Sequence, residues 1–557
     1  MARAPEKVER RGAELYAIRP LKGKSMKIKI IVFVFCALAL VTVGVEAQRR
    51  RSSQTITITI LQLNDVYEIS PVDGGESGGL ARVATLVERE RNRSPHNLFL
   101  LAGDFLSPSL ASKEFKGAQM IASLNAIKLD IAALGNHEFD VDLQTLDQRI
   151  KESQFIYLAA NVVKKDGTPI DGVKPYVIRN LGGARIAVFS LLTADTATKS
   201  TNGKELKIAD PVTVGKRLAR RLRLQGADII IALTHLSMCE DKRLAAETDV
   251  DLIVGGHEHE LLQSMAGRVH ISKMGSDARN LGRMDLHLSR TRQGRYRLKY
   301  IDWRSIVVDN TVTENSEVKA VVAQWESRLK AKYPDLDERI GQTKVELDVL
   351  ASNLRRSETN FGNFLADAYL QAYANADAAL VNSGGIRSDR TYGRDDAMTD
   401  LTNRDIRSIL PYDNDLVLVE ATGELLKKLL EHGVSEVANE EGRFPQVAGL
   451  AFSYDAARPV GQRVTEIKVG GQPYDPQKKY RLVVNSFTIG GGDEYDFTGA
   501  TRLSEKGKEP LERNVLLDQI KKKTPLSPRK ENRITSAGEQ APPLDPCAPY
   551  APRRKAA

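Results

Sequence analysis

Seven side chains suited to holding a divalent cation recur along this sequence at the ends of short apolar runs: Asp65, Asp104, Asn136, His137, His235, His257 and His259. Carboxylate oxygen and imidazole nitrogen are the donors such ions take, provided a rigid frame holds them. The chain has eight histidines; four fall in this set, and three of those follow directly on an apolar run. Taken singly, each residue has an ordinary structural explanation. An aspartate after a strand usually turns the chain or caps a helix, and a lone histidine is more often a satisfied structural residue than a ligand. Taken together, Gly103-Asp104, Gly135-Asn136-His137-Glu138 and Gly256-His257-Glu258-His259 occur in order, each at the end of such a run. Chance assembly of that series is improbable. The stretch Gly135-Asn136-His137-Glu138-Phe139-Asp140 is its most specific piece, whereas Gly-Asp alone has almost no weight.

The second half offers a different chemistry. Arg355-Arg356-Ser357-Glu358-Thr359-Asn360 opens a helical pattern, and Asn382-Ser383-Gly384-Gly385-Ile386-Arg387 follows an apolar run. Leu410-Pro411-Tyr412 comes next, then Asn485-Ser486-Phe487 leading into Gly490-Gly491-Gly492-Asp493. Glycines let a backbone approach a ligand closely, and guanidinium forks match phosphate or carboxylate oxygens. Gly-Gly turns are common in α/β proteins, so composition alone makes these only candidate phosphate contacts.

The donors of the first half need elements to position them. Apolar, β-branched runs precede each one: Thr55–Leu63, Leu98–Ala102, Ile131–Leu134, Ile229–Leu233 and Leu252–Val254. Short continuous apolar runs bounded by Gly or Asp read as buried strands. Helical patterns lie between them, as at Leu80–Arg91 and Ala118–Ile127. The pattern predicts a layered α/β domain with ligands at the carboxyl ends of its strands. Residues 315–333 form a charged amphipathic stretch without Gly or Pro, expected to be a helix joining two domains. A second α/β domain is expected over 342–520, and a disordered Pro-rich, basic tail over 521–557.

With 557 residues the chain has room for two or three domains, and 41% hydrophobic and 27% charged residues suit a folded globular protein. The formal charge of +9 lies at the ends: residues 1–51 carry +8 and residues 521–557 carry +6, leaving 52–520 at −5. The folded part is mildly acidic, which argues against a nucleic-acid partner. Lys27 and Lys29 precede a 16-residue apolar run, Ile30–Val45, and Val45-Glu46-Ala47 resembles a small-residue cleavage site. That run is short of the ~20 residues of a membrane span and reads as a signal peptide over 1–47, with Met26 as a candidate true start. A periplasmic or secreted protein without a stable membrane span after cleavage is expected; oligomeric state stays open. Cys36 would leave with the signal and Cys547 lies in the tail, so no disulfide framework is expected.

On these motifs the chain resembles the calcineurin-like metallophosphoesterases and, within them, the 5′-nucleotidase family, over about 55–520. The resemblance implies a four-layer β-sandwich flanked by helices over 54–310, a linker helix within 311–341 and a substrate-binding α/β domain over 342–520. It implies two divalent ions (Zn, Mn, Mg or Co). Asp104 would bridge them, Asp65 and His259 would hold the first, and Asn136, His235 and His257 the second. His137 would be catalytic, oriented by Asp140. In the second domain Arg355 and Arg387 match phosphate contacts, Asn382 and Gly384 the nucleoside side, Tyr412 and Phe487 the aromatics that sandwich the base, and Asp493 the ribose carboxylate. The two half-sites imply assembly across a domain interface, with a hinge near 315–345.

One departure stands out. The family's Asn-Asp-x-His is Asn64-Asp65-Val66-Tyr67 here. Three consequences are open: Tyr67 does not ligate and the first site is weaker; it ligates as a phenolate and favours Fe³⁺ or Mn²⁺; or the site is degenerate and the protein only binds nucleotides. The expected activity is hydrolysis of nucleoside 5′-monophosphates. Hydrolysis of UDP-sugars or 2′,3′-cyclic nucleotides is the alternative in the same class, and a thiosulfohydrolase a more distant one, against which the aromatic pair and Asp493 argue.

Overall fold

The computed structural model describes residues 55–388 and 390–537, the side chains of Thr198 and Lys199 excepted. The apolar run Ile30–Val45 lies outside the described residues. No described helix is long and apolar enough to cross a membrane. The chain divides into two compact units. The smaller is represented among the described residues by Thr55 and Ser289–Arg297, a tight turn in which the Gly294 amide donates to the Thr291 carbonyl at 3.0 Å. The larger, Ile56–Leu288 with the residues from Leu298 onward, carries everything that follows.

The apolar runs are strands. Thr55–Leu63 is buried along its last six residues and pairs in parallel with Asn97–Leu101, which continues in parallel to Ile131–Ala133 and Ile156–Leu158. A second sheet has a parallel centre of Ala184–Leu192, Ile229–His235, Leu252–Gly255 and Val269–Met274. Strand Ile229–His235 packs on Ile131–Ala133, so the two sheets meet face to face. Helices Leu80–Arg93, Ala118–Ile127 and Leu143–Glu152 close the outer face of the first sheet, and Pro211–Leu224 with Met238–Glu247 that of the second. This is the four-layer sandwich expected. Strands buried on both faces read as unbroken apolar runs because no position is left for alternation with polar residues. In each sheet the parallel strands bring their carboxyl ends to one edge, where the metal-competent residues sit. Caps fix the chain there: Ser237, two residues after His235, forms a capping box with Glu240 that starts helix Met238–Glu247.

Helix Ser316–Lys332 is capped by Asn315, whose side chain accepts from the amides of Glu317 and Val318 at 3.1 Å each, and it packs on helices Leu80–Arg93 and Ala118–Ile127. The second lobe is built on a five-stranded sheet in the order Pro445–Ala448, Ala378–Asn382, Lys479–Asn485, Leu416–Thr422, Thr501–Arg502. Helix Asn360–Gln371 packs on its first two strands.

Two expectations are corrected. Residues 521–537 are not disordered. Helix Glu512–Lys523 runs into them, Leu526 and Ile534 are buried, and Ile534–Ser536 pairs in parallel with Phe452–Tyr454. Arg533 reaches Asp367 at 2.7 Å. A few well-placed apolar residues and one ion pair anchor this segment, and its polar composition dilutes them from view; 538–557 lie outside the described residues. The sulfur of Cys239 is disulfide-bonded. The other two cysteines, Cys36 and Cys547, lie outside the described residues.

Candidate active site

Three of the metal-competent residues hold left-handed backbone conformations that non-glycine residues avoid: Asp65 (φ 53°), Asp104 (φ 56°) and His257 (φ 83°). Each costs about 1–3 kcal/mol and persists only where the surroundings over-determine it. For Asp104 the surroundings are Glu138. This buried carboxylate accepts the amides of Asp104, Phe105, Leu106 and Gly135 at 2.6–3.0 Å. Burial, then the charge of Asp104, pushes the Glu138 carboxyl up to about 7. For Asp65 it is the second sheet: its carbonyl accepts from the Asp277 amide at 2.8 Å, and its Oδ2 accepts from Asn64 Nδ2 at 2.8 Å and the His257 amide at 2.9 Å. Glycine is needed where loops cross. A Cβ on Gly135 would lie 2.2 Å from Asp104 Oδ1, and one on Gly256 would lie 2.4 Å from the Ala102 carbonyl.

The donors converge on one atom. Asp104 Oδ2 lies 3.1 Å from His235 Nε2 and 3.4 Å from the Tyr67 hydroxyl. On one side His235 Nε2 is 3.1 Å from Asn136 Oδ1 and 3.3 Å from His257 Nδ1. On the other the Tyr67 hydroxyl is 3.3 Å from Asp65 Oδ1 and 2.8 Å from His259 Nε2. Asp65, Asp104 and His235 are buried, and one donor atom of each lies within 4.8 Å of the others.

The electrostatics match. Burial works against the charge of Asp104, but His235 and His137 hold its carboxyl well below the usual range. Burial raises the Asp65 carboxyl. His235 is pulled the other way: burial lowers it, and Asp104 with Asp65 raises it to about 10. Burial, then Asp65 and Asp104, keeps the Tyr67 phenol well above its ordinary value. The ion-pair partners of Asp65 and Asp104 among the described residues are histidines, with no lysine or arginine. Two buried carboxylates balanced only by imidazoles form a donor set that fits divalent cations.

His137 stands beside this cluster. Its Nδ1 is 2.7 Å from Asp140 Oδ2, which also accepts from Ser107 at 3.0 Å, and its amide donates to Asp104 Oδ1 at 2.8 Å. With Nδ1–H directed to Asp140, Nε2 is left as an acceptor facing Arg387 Nη2 at 3.1 Å. Arg387 also lies 5.9 Å from the centre of the Tyr412 ring. The structure thus brings Arg387 and Tyr412 of the second lobe to His137 and Asp140 of the first.

The remaining second-lobe candidates form a neighbouring group. Asn382 donates to Asp493 Oδ2 at 2.7 Å and accepts from Asn485 at 2.9 Å, and a Cβ on Gly384 would lie 3.0 Å from the same Asp493 oxygen. Burial raises the Asp493 carboxyl against the pull of Asn382, Arg355 and Arg387. Arg355 donates to the Glu440 carbonyl at 3.4 Å. Phe487 is 47% exposed and packs its ring over Gly492. Two residues important to the geometry escaped the sequence reading. Glu138 was visible in Gly-Asn-His-Glu but had no role there. Lys273, wholly buried in strand Val269–Met274, carried no signal, because a lysine in a strand reads as a surface residue.

The fold and site define a two-lobed metallophosphoesterase. Residues 58–261 match the family model of the calcineurin-like phosphoesterases, and residues 339–500 match that of the 5′-nucleotidase C-terminal domain. The chain therefore belongs to the 5′-nucleotidase family, and it is an enzyme of the phosphoesterase class. Its relatives include the 5′-nucleotidase of Bos taurus, 28% identical over 504 residues, covering 83% of this chain and 86% of that protein. The trifunctional nucleotide phosphoesterase protein YfkN of Bacillus subtilis is 30% identical over 503 residues, and the chain spans about a third of its length (34%). Among solved structures, the 5′-nucleotidase precursor from Thermus thermophilus superposes with a TM-score of 0.78 at 28% identity, covering 87% of this chain and 100% of that one.

Proposed function

We propose that this enzyme hydrolyses nucleoside 5′-monophosphates to nucleoside and inorganic phosphate, outside the cytoplasm. The observation that best supports it is the contact between Arg387 and His137, which joins a phosphate-binding group of one lobe to a catalytic group of the other. Export rests on the charged, then apolar, N-terminal pattern alone.

In this reading Asp65, Tyr67 and His259 would hold one divalent ion, Asn136, His235 and His257 another, and Asp104 both. Bound there, the ions would lower the pKa of a water and neutralise phosphoryl oxygens. The rest falls to side chains. Arg387 and Arg355 orient the phosphate. Asp140 fixes the His137 ring so that Nε2 faces the phosphoryl group, where it stabilises the charge that develops as the leaving oxygen departs. Tyr412 and Phe487 hold the base between two rings, which fixes a nucleoside without selecting one base. Asp493, steadied by Asn382, accepts from the ribose hydroxyls.

A diphosphate substrate is the second reading. The cleft lined by Tyr67, His137, His259 and Arg387 extends to Arg390 and Arg404, which are paired with Asp73 and Asp405 and with Glu326 and Asp337, so a second phosphate there would have to compete with those carboxylates. The test is phosphate release from AMP by the metal-free chain after addition of Zn²⁺, Mn²⁺, Mg²⁺, Co²⁺ or Fe, with UDP-glucose alongside. Metal-dependent release from AMP is expected. AMP binding without release under any metal would replace the hydrolase reading with a binding protein; turnover of UDP-glucose alone would promote the second.

A further inference from the structure

The Lys273 ammonium is sealed from solvent between the two loops that present His235 and His257. It donates to the carbonyl of Leu236, the residue after His235, at 2.6 Å, and to the carbonyl of Gly256, the residue before His257, at 2.8 Å. Its third donor goes to the carboxylate of Glu258, the residue after His257. The three N–H groups are then spent, and Asp241 Oδ2 at 3.1 Å adds charge. Glu258 in turn accepts the Met238 amide at 2.6 Å, and Asp241 accepts from Thr234, the residue before His235, at 2.7 Å. His257, gripped on both sides by one ammonium, is the residue held at φ 83°.

A buried ion pair is a poor way to add stability, since apolar residues of equal volume do as well or better. What it can do is specify geometry. We propose that Lys273, through Glu258 and the Gly256 carbonyl, is a positioning residue that holds His257 in its left-handed conformation and in register with His235, so that the two imidazoles form one half of the metal centre. The inference rests on the metal-centre reading above and adds to it a clamp behind the ligands.

The test is calorimetric titration of the metal-free chain with Mn²⁺, paired with thermal unfolding in EDTA. Wild type is expected to take up two ions. Lys273→Met is expected to weaken one of them by 10-fold or more, within the range found when groups behind metal ligands are removed. Added to His257→Ala, it is expected to cause a smaller loss than it does alone, because most of its effect runs through the same imidazole and the rest through the Leu236 carbonyl beside His235. Asp241→Asn, which removes charge but leaves all three donations of Lys273 in place, is expected to keep both ions. Should Lys273→Met yield no folded protein, Glu258→Gln carries the test, with a smaller loss at the same ion. The clamp is overturned if a folded Lys273→Met or Glu258→Gln variant binds both ions as wild type does. It is also overturned if Asp241→Asn weakens binding equally, for then only general stability was at stake. A wild-type chain that takes up no Mn²⁺ at all overturns the metal reading and the clamp with it.

Discussion

The two halves of this site are built in opposite ways. On the proposed metal side Asp65, Asp104, Asn136 and His235 are buried, the backbone of Asp65 and Asp104 is forced into costly conformations, and Glu138 and Asn64 spend whole side chains holding loops in place. On the proposed nucleoside side the two aromatics are looser, Phe487 half-exposed and Tyr412 partly so, while Asp493, itself at φ 50°, is steadied by the buried Asn382 amide. The difference follows from what each side must hold. An ion needs several donors placed within tenths of an ångström, whereas a base needs only a flat apolar slot. Strained, tightly held backbone is found at the carboxylates Asp65, Asp104 and Asp493, and only the aromatic slot is left adaptable.

That contrast can be broken from either end. Asp104→Ala removes the oxygen on which both donor groups converge and is expected to lower kcat/KM by roughly 10⁴-fold, about 5.5 kcal/mol of transition-state stabilisation, with loss of bound metal by elemental analysis. A variant that keeps its metal would show that Asp104 is not the shared ligand. His137→Ala is expected to cost about 10²–10⁴-fold in kcat while two ions remain bound, separating the catalytic group from the ligands. Phe487→Ala should act on the other axis, raising KM for AMP by about 5–150-fold at nearly constant kcat, the worth of one stacked base. If kcat fell instead, the aromatic would be aligning the phosphate and the two sides would not be separable.

The smallest effect is a stability difference in the second lobe. Glu512 is buried against Tyr369 and Asn414, and burial raises its carboxyl to about 7 despite their hydrogen bonds. Its protonated form favours the fold, so that contribution is complete below about 4.5 and is lost as pH rises through about 7. Glu512→Gln should remove this dependence. Measured by unfolding from pH 5 to pH 8, its Tm is expected to gain about 1–4 °C on wild type as pH rises. A constant offset would mean that Glu512 does not titrate in this window.

How much of this was legible in the sequence depended on locality. The strands that end in Asp65, Asp104, His137, His235 and His257 could be read because each joins a buried apolar run to a polar stop within one short segment. The helix over Ser316–Lys332 could be read from its amphipathic pattern and the absence of Gly and Pro. The order around Leu526 and Ile534 could not, because it depends on partners at Gln342 and Phe452 far away in the chain. Lys273 could not either: its meaning lies in the Gly256 carbonyl and Glu258, which strand pairing brings to it. The meeting of Arg387 with His137, 250 positions apart, came only with the fold.

That last contact has a consequence for traffic through the site. Arg387 is not a vacant cation waiting for phosphate; it already spends one donor on the ring of His137. In the proposed reading an arriving phosphoryl group meets a guanidinium with only one of its five N–H donors on the imidazole and its Nε–H unpartnered, so it can be held beside the His137 ring without displacing it. On that reading the inorganic phosphate released would take the same donors as substrate, and the enzyme is expected to slow as its own product accumulates.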